Sequence, residues 1–254
     1  MQSSELFTTS GGSARYGYCD ELRYRFSDNN LPRGLILDDG CGFGVGTALI
    51  AREDRFIIGL DPDKNAIKWA QLHRNRSNLN FQLKLSHSLP FDGSHFDGVL
   101  SLEVIEHLVD QENYLSEIAR VLKPNGIFVL STPNKAAVEP FYMEGLSPIN
   151  IRHIRELNPS ELRELLSSKF HIVESFALHA ADIERRRRAL EYQKAFPIPY
   201  SIRSKIPMKI RDFWTRYKGL SSEGDWIISK IDWTELECSK SLECEDMILL
   251  LRRK

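Results

Sequence analysis

Asp38-Asp39-Gly40-Cys41-Gly42-Phe43-Gly44-Val45-Gly46 closes a short apolar run, Gly34 to Asp38, and leads into a helical pattern from Gly46 to Arg52. A strand that ends in an acid and turns through closely spaced glycines into a helix lets backbone approach a ligand without side-chain clash. A dinucleotide fingerprint GxGxxG starting at Gly40 or Gly42 needs its third glycine at 45 or 47, where Val45 and Thr47 stand. The dehydrogenase reading thereby loses its best support. The Gly-Lys-Ser/Thr ending of a phosphate-gripping loop is also missing. Asp61 ends the next apolar run, 21 residues after Gly40, where a carboxylate accepts two hydrogen bonds from a ribose diol. Loop and acid together mark an adenosine site. The alternative for Asp61 is a solvated helix cap.

Outward from this loop, residues 34 to 178 alternate short β-branched runs with longer helical patterns, the rhythm of βαβ units building a parallel sheet. Strands are expected at Phe56 to Asp61, Phe81 to Leu85, Gly98 to Leu102, Ile127 to Ser131 and His171 to Leu178. Helices are expected over Asp63 to Leu72 and Asn113 to Leu122, the latter with apolar residues at 115, 118, 119 and 122 on one face. Lys123-Pro124-Asn125-Gly126 stops that helix, and Asn158-Pro159-Ser160-Glu161 opens another, with a capping residue and Pro at its first position. Met247 to Leu251 is expected to close the sheet as an edge strand. The whole chain reads as one domain: a cofactor-binding core over 34–178, a substrate cover from 1–33 and an α-rich insertion at 179–224, and closing strands in 225–254. About 45 residues is marginal for an independent core.

The 254 residues are 42% hydrophobic, enough for a sizeable core, and the formal net charge of -1 predicts no strong global attraction for nucleic acid. The first thirty residues lack the apolar stretch and cleavage site of a secretory signal, and no apolar run approaches membrane-spanning length. Cys19, Cys41, Cys238 and Cys244 form no CxxC pair, and Cys41 sits inside the glycine loop. A reduced, cytoplasmic chain is the simplest reading.

The segment Ile36 to Gly44 resembles the first motif of the class I S-adenosylmethionine-dependent methyltransferases. The likeness continues through Leu89-Pro90-Phe91, Phe96-Asp97, Ser101-Leu102-Glu103-Val104-Ile105-Glu106-His107-Leu108 and Arg120-Val121-Leu122-Lys123-Pro124-Asn125-Gly126, in the family's order. The resemblance implies a Rossmann-like α/β fold with a mostly parallel central sheet and S-adenosylmethionine as cofactor. It places Asp38 and Gly40, Cys41, Gly42 and Gly44 against the methionine moiety and Asp61 on the ribose. The Ser86-His87-Ser88-Leu89 loop would meet the adenine, and Pro62 and Leu102 complete the cofactor set. Many relatives carry an Asp in the adenine loop. Ser86 and His87 stand here instead, so adenine would rest on backbone groups, apolar contact and the Ser86 hydroxyl.

Methyl transfer from a sulfonium is an in-line displacement, so the protein must align an acceptor and, for a hydroxyl, remove its proton. Glu103, Glu106 and His107 fall at i, i+3 and i+4 directly after a strand, so on a helical turn they would share one face at the carboxyl edge of the sheet. Such a cluster binds a divalent ion (Mg, Mn or Zn) if a further ligand is near, and His153 is the candidate. Without an ion, His107 would serve as the base beside Glu106. The set Glu103, Glu106, His107 and later His153 is similar to that of ubiquinone-biosynthesis O-methyltransferases and of small-RNA 2′-O-methyltransferases, in which such residues hold a metal. The structural alternative is that the two glutamates are exposed helix residues and the histidines pack locally.

Residues 185 to 218 hold eleven Lys and Arg against Glu191 and Asp212, interleaved with Tyr192, Phe196, Tyr200, Phe213, Trp214 and Tyr217. This stretch reads either as a lid with cationic contacts to an anionic acceptor or as a solvated helix face. The leading expectation is O-methylation of a small molecule or glycan, the stretch His153 to Leu166 being similar to polysaccharide-associated methyltransferases. A metal-dependent RNA 2′-O-methyltransferase is the alternative, and a cofactor-binding regulatory subunit stands third.

Overall fold

The computed structural model describes residues 14–84, 88–141, 152–180, 226–238 and 244–254, together with 184, 187 and 191. The glycine loop leaves β1 (Gly34–Asp39), the middle of five parallel strands. β2 (Arg55–Asp61) and β3 (Leu79–Leu83) extend the sheet on one side, and β4 (Phe96–Leu102) and β5 (Leu122–Pro133) on the other. Strand order therefore reverses between β1 and β4, which opens a crevice outside their carboxyl ends. Gly40 follows one strand and Glu103 the other. Asp39 pairs with Leu60 on one side and Ser101 on the other.

The remaining strands are β6 (Phe170–Ala180), β7 (Trp226–Ile231) and β8 (Asp246–Arg253), giving an eight-stranded sheet in the order β3-β2-β1-β4-β5-β8-β6-β7. The Met247 to Leu251 run is therefore interior, not an edge: β8 lies antiparallel between β5 and β6, and β7 takes the edge beyond β6. The physical reason lies in the run itself. It is apolar at every position and buried throughout, so both its faces need cover. On an open edge it would template pairing with another chain.

The helices are α1 (Ala14–Asn30), α2 (Val45–Leu49), α3 (Lys64–His73), α4 (Gln111–Val121), α5 (Lys135–Val138), α6 (Pro159–Ser167) and α7 (Trp233–Cys238). Asp63 caps α3 by accepting from the Asn65 and Ala66 amides, and Asn158 with Glu161 forms a full capping box on α6. α2 is shorter than the Gly46 to Arg52 expected from its pattern, ending at the Ile50 cap. Period-two alternation sends neighbouring strand residues to opposite layers. Leu37, Val99, Phe128 and Leu249 pack with Tyr114, Leu115 and Ile118 of α4 and with Leu162 and Leu166 of α6. Ile36, Leu100, Val129 and Ile248 pack with Cys19 and Tyr24 of α1.

α1 falls in a region where the sequence shows no helical apolar stripe, and Arg23 and Ser27 are among its buried residues. Arg23 reaches Asp246 at 2.6 Å and Glu103 at 3.4 Å, which ties α1 to the carboxyl edge of the sheet. Cys19, Cys41 and Cys244 are buried and form no disulfide. Among the described residues no helix is long and apolar enough to cross a membrane. Most of the basic insertion, with Ser86 and His87, lies outside the described residues.

Candidate active site

The glycine loop is anchored by its own backbone: the Gly40 and Cys41 amides both donate to the Leu60 carbonyl, at 2.8 and 2.9 Å. Its glycines have different tasks. A Cβ at Gly40 would come within 2.4 Å of Val104, at Gly44 within 2.5 Å of Phe81 and at Gly46 within 2.0 Å of Tyr24, so these three are demanded by packing. At Gly42 a Cβ would meet nothing within 4 Å, although φ is +52°. Gly42 is thus where the loop opens onto free space, the cradle a ligand needs. Gly46→Ala is expected to cost stability, about 1–3 kcal/mol by overpacking against Tyr24. Gly42→Ala should cost only about 1 kcal/mol of stability for its left-handed backbone while weakening nucleoside binding more than tenfold. Urea unfolding and calorimetric titration of both variants with S-adenosylhomocysteine check this; equal nucleoside affinities would sink it.

Asp61 faces the same opening. Its Oδ2 accepts from the Gly42 amide and its Oδ1 from the Asp63 amide, both at 2.8 Å. Each oxygen keeps a lone pair for a ribose diol. Burial raises this carboxyl above its ordinary value. The exposed Pro62 follows it.

Asp38 and Asp39 diverge to opposite faces of the sheet. Asp38 is buried and accepts from the Thr47 hydroxyl at 2.6 Å and from the Tyr24 hydroxyl at 3.0 Å, with burial pushing its carboxyl up to about 7. The side chain set down for the methionine moiety is therefore engaged by α1 and α2. Asp39 points the other way, where both its oxygens accept from the Lys84 ammonium and one also accepts from the Tyr114 hydroxyl at 2.8 Å. Sequence reasoning missed this network. Its one signal was a second acid in a strand position that otherwise calls for an apolar residue. Burial pushes the Cys41 thiol up, Leu89 is buried in the layer under α4, and Leu102 packs against the opposite layer.

The second half of the site follows β4. Glu103 has φ +58°, and only then does a single 3-10 turn, Ile105–His107, begin. The left-handed residue breaks the helical phase, so the expected helical turn carrying Glu103, Glu106 and His107 on one face does not form. Glu103 turns instead to the Ser131 hydroxyl, at 2.8 Å, and to Arg23. Glu106 is fully buried. One of its oxygens accepts from the Thr132 hydroxyl at 3.1 Å, and the other, Oε1, has no hydrogen-bond partner and lies 4.0 Å from His107 Nε2. Burial, reinforced by the neighbouring Glu103, raises the Glu106 carboxyl well above its ordinary value.

His153 joins this turn through backbone. The Ile154 and Arg155 amides donate to the Glu106 carbonyl at 2.8 and 3.1 Å, and the Gln111 amide bridges the Ile105 and Arg155 carbonyls. The His107 and His153 rings meet edge to face at 4.8 Å. His107 Nδ1 lies 3.0 Å from the Arg152 carbonyl, a pure acceptor, so Nδ1 carries a proton and Nε2 points away from that carbonyl. Burial and the adjacent His107 push His153 down to about 4, which keeps it neutral at physiological pH. Glu106, His107 and His153 each bring one ligand atom within 4.8 Å of the others, the one such trio that includes His153 among the described residues; Glu103 stands outside it. An orphaned buried carboxylate oxygen beside two imidazoles suits a divalent cation, which would supply the missing partner of Glu106.

Residues 37–130, from β1 into β5, match the family model described as a methyltransferase domain. A protein of Mycolicibacterium smegmatis named a probable S-adenosylmethionine-dependent methyltransferase is 39% identical over 133 residues, 52% of this chain and 50% of the relative. A ubiquinone biosynthesis O-methyltransferase of Bradyrhizobium diazoefficiens is 36% identical over 126 residues, 49% of this chain and 50% of the relative. The chain spans about half the length of these relatives. Among solved structures, an S-adenosylmethionine-dependent methyltransferase of Thermotoga maritima, described as a possible histamine N-methyltransferase, superposes with a TM-score of 0.63 at 13% identity, covering 94% of this chain and 91% of that one. This chain has the Rossmann-like class I methyltransferase fold, with a methyltransferase domain matched over residues 37–130.

Proposed function

We propose that this protein is an S-adenosylmethionine-dependent methyltransferase that methylates a hydroxyl of a small molecule or glycan in the cytoplasm. The observation that carries the reading is the Glu106, His107 and His153 trio at the same sheet edge as the opening at Gly42 and Asp61. The names of relatives, among them O-methyltransferases, support it. S-adenosylmethionine, when bound, supplies an electrophilic methyl group on its sulfonium. Asp61 would accept from the ribose diol, and the backbone at Gly42 would lie against the nucleoside without a side chain between them. A divalent ion (Mg, Mn or Zn) would be held by Glu106, His107 and His153, where it would lower the pKa of a coordinated hydroxyl. Without an ion, His107 Nε2 is the lone pair able to take the hydroxyl proton, while the Arg152 carbonyl holds the ring in that tautomer. Residues 1–33 and 179–224 serve as the substrate cover of a single domain.

The experiment is methyl transfer from labelled S-adenosylmethionine to a panel of catechols, polyols and glycans, with His107→Ala beside the wild type. Wild type is expected to label hydroxyl oxygen, and His107→Ala to lose about 100-fold or more in kcat with S-adenosylhomocysteine affinity within threefold. Activity that survives exhaustive chelation removes the ion and leaves His107 as the base. Label found on amines alone overturns the hydroxyl reading, and label found on RNA alone replaces it with 2′-O-methylation of RNA.

A further inference from the structure

Four buried or half-buried carboxylates, Glu103, Glu106, Glu156 and Asp246, gather at the carboxyl ends of β4 and β5 and the amino end of the antiparallel β8. Arg23 faces Glu103 and Asp246. Among the described residues, no Lys or Arg side chain pairs with Glu106 or Glu156; His107 lies 4.0 Å from the first and His153 2.5 Å from the second. Glu106 Oε1 and Glu156 Oε2 are both buried without a hydrogen-bond partner. A buried carboxylate left half satisfied is costly.

Glu156 is 7% exposed, and its Oε1 lies 2.5 Å from Nδ1 of His153. Its backbone is held on both sides. The Arg155 amide donates to the Glu106 carbonyl, and Leu157 forms a bridge with Asn134 at the end of β5. Burial pushes the Glu156 carboxyl up to about 7; in its ionised form it accepts and does not donate, so the proton of the pair then sits on Nδ1. The two nitrogens of an imidazole point apart, which directs Nε2 away from Glu156.

We infer that Glu156 is a positioning residue of this site: its carboxylate fixes the tautomer and angle of His153 so that Nε2 meets a divalent cation shared with Glu106 and His107. The inference rests on the metal reading above. A carboxylate behind a ligating histidine orients the ring and raises the basicity of the nitrogen opposite, and losing such a partner typically costs about 10–100-fold in metal affinity.

The test is calorimetric titration of the full chain with Co2+ alone, together with the visible absorption of the Co2+ protein. Wild type, Glu156→Gln, Glu156→Ala, His153→Ala and the double variant His153→Ala/Glu156→Ala are compared. Glu156→Gln keeps the size of the side chain and is expected to bind Co2+ about tenfold more weakly, and Glu156→Ala up to about 100-fold more weakly. Both should show altered absorption and S-adenosylhomocysteine affinity within twofold of wild type. In the His153→Ala background, removing Glu156 should cost nothing further, because the two residues act as a unit. Glu156→Gln with wild-type Co2+ affinity and spectrum overturns the inference and leaves the metal reading standing. An equal loss with and without His153 also overturns it, since Glu156 would then act by charge alone. A wild type that binds no Co2+ overturns the metal reading and this inference with it. If Glu156→Ala does not fold, the isosteric Gln variant decides.

Discussion

Lys84→Met is expected to destabilise the protein by about 3–5 kcal/mol, measured by urea unfolding at neutral pH. Asp39 is 1% exposed, and Lys84 donates to both its oxygens, at 2.9 and 2.7 Å. Removing the ammonium leaves a buried carboxylate with the Tyr114 hydroxyl as its remaining side-chain donor. Taking an ion out of water costs several kcal/mol, and that cost is tolerated only while the partner stays in place. The same physics predicts an asymmetry. The double variant Asp39→Leu/Lys84→Met removes both charges and is expected to lie within about 2 kcal/mol of wild type, since apolar replacement of a buried pair is often neutral or stabilising. Tyr114 then keeps the Ser101 hydroxyl, 2.7 Å away, as its partner. A single-variant loss below 1 kcal/mol, or a double variant weaker than the single, would show that the pair does not behave as a buried ion pair.

Asp61→Ala is expected to weaken S-adenosylhomocysteine binding about 100-fold. Hydrogen bonds to a charged acceptor contribute about 1.5–3 kcal/mol each, and two of them to a ribose diol come to at least about 3 kcal/mol, roughly two decades in affinity. The substitution also frees the Gly42 and Asp63 amides that the carboxylate now receives, which loosens the loop at the point where it opens. Asp61→Asn retains one carbonyl oxygen and should fall between, at about a tenfold loss. Calorimetry decides, and Asp61→Ala binding within threefold of wild type would remove Asp61 from the ribose.

Much of this architecture is legible along the chain, because the signals are short-range. Gly40, Gly42 and Gly44 mark the turn after β1; the capping residues Asp63 and Asn158 mark α3 and α6. The alternation of strand and helix patterns marks the parallel sheet. Each depends on residues a few positions apart. β8 was misjudged at the level of neighbours: its unbroken apolar run announces burial on both faces, but the strands that supply that burial, β5 and β6, are distant in sequence.

The candidate cluster is half legible in the sequence. Glu106, His107 and His153 stand out by residue type, but their spacing also groups Glu103 with Glu106 and His107 on a helical turn that its left-handed backbone prevents. Nothing in the residue type announces that conformation, since Glu rarely adopts it. Glu156 was passed over because a Glu three residues after a His looks like an ordinary surface pair until both are buried.

Glycine spacing and apolar periodicity determine the strand–turn–helix units and place Asp61 at a strand end, because backbone conformation and side-chain facing follow from local sterics and period. Which carboxylates are buried, and with whom, was decided only by the tertiary structure. It sends Asp38 toward Tyr24 and Asp39 toward Lys84, lays Arg23 between Glu103 and Asp246, and hangs His153 from the Glu106 carbonyl. Those pairings arise from strand order and the packing of remote segments, and the energy of a buried charge is set by its surroundings in space.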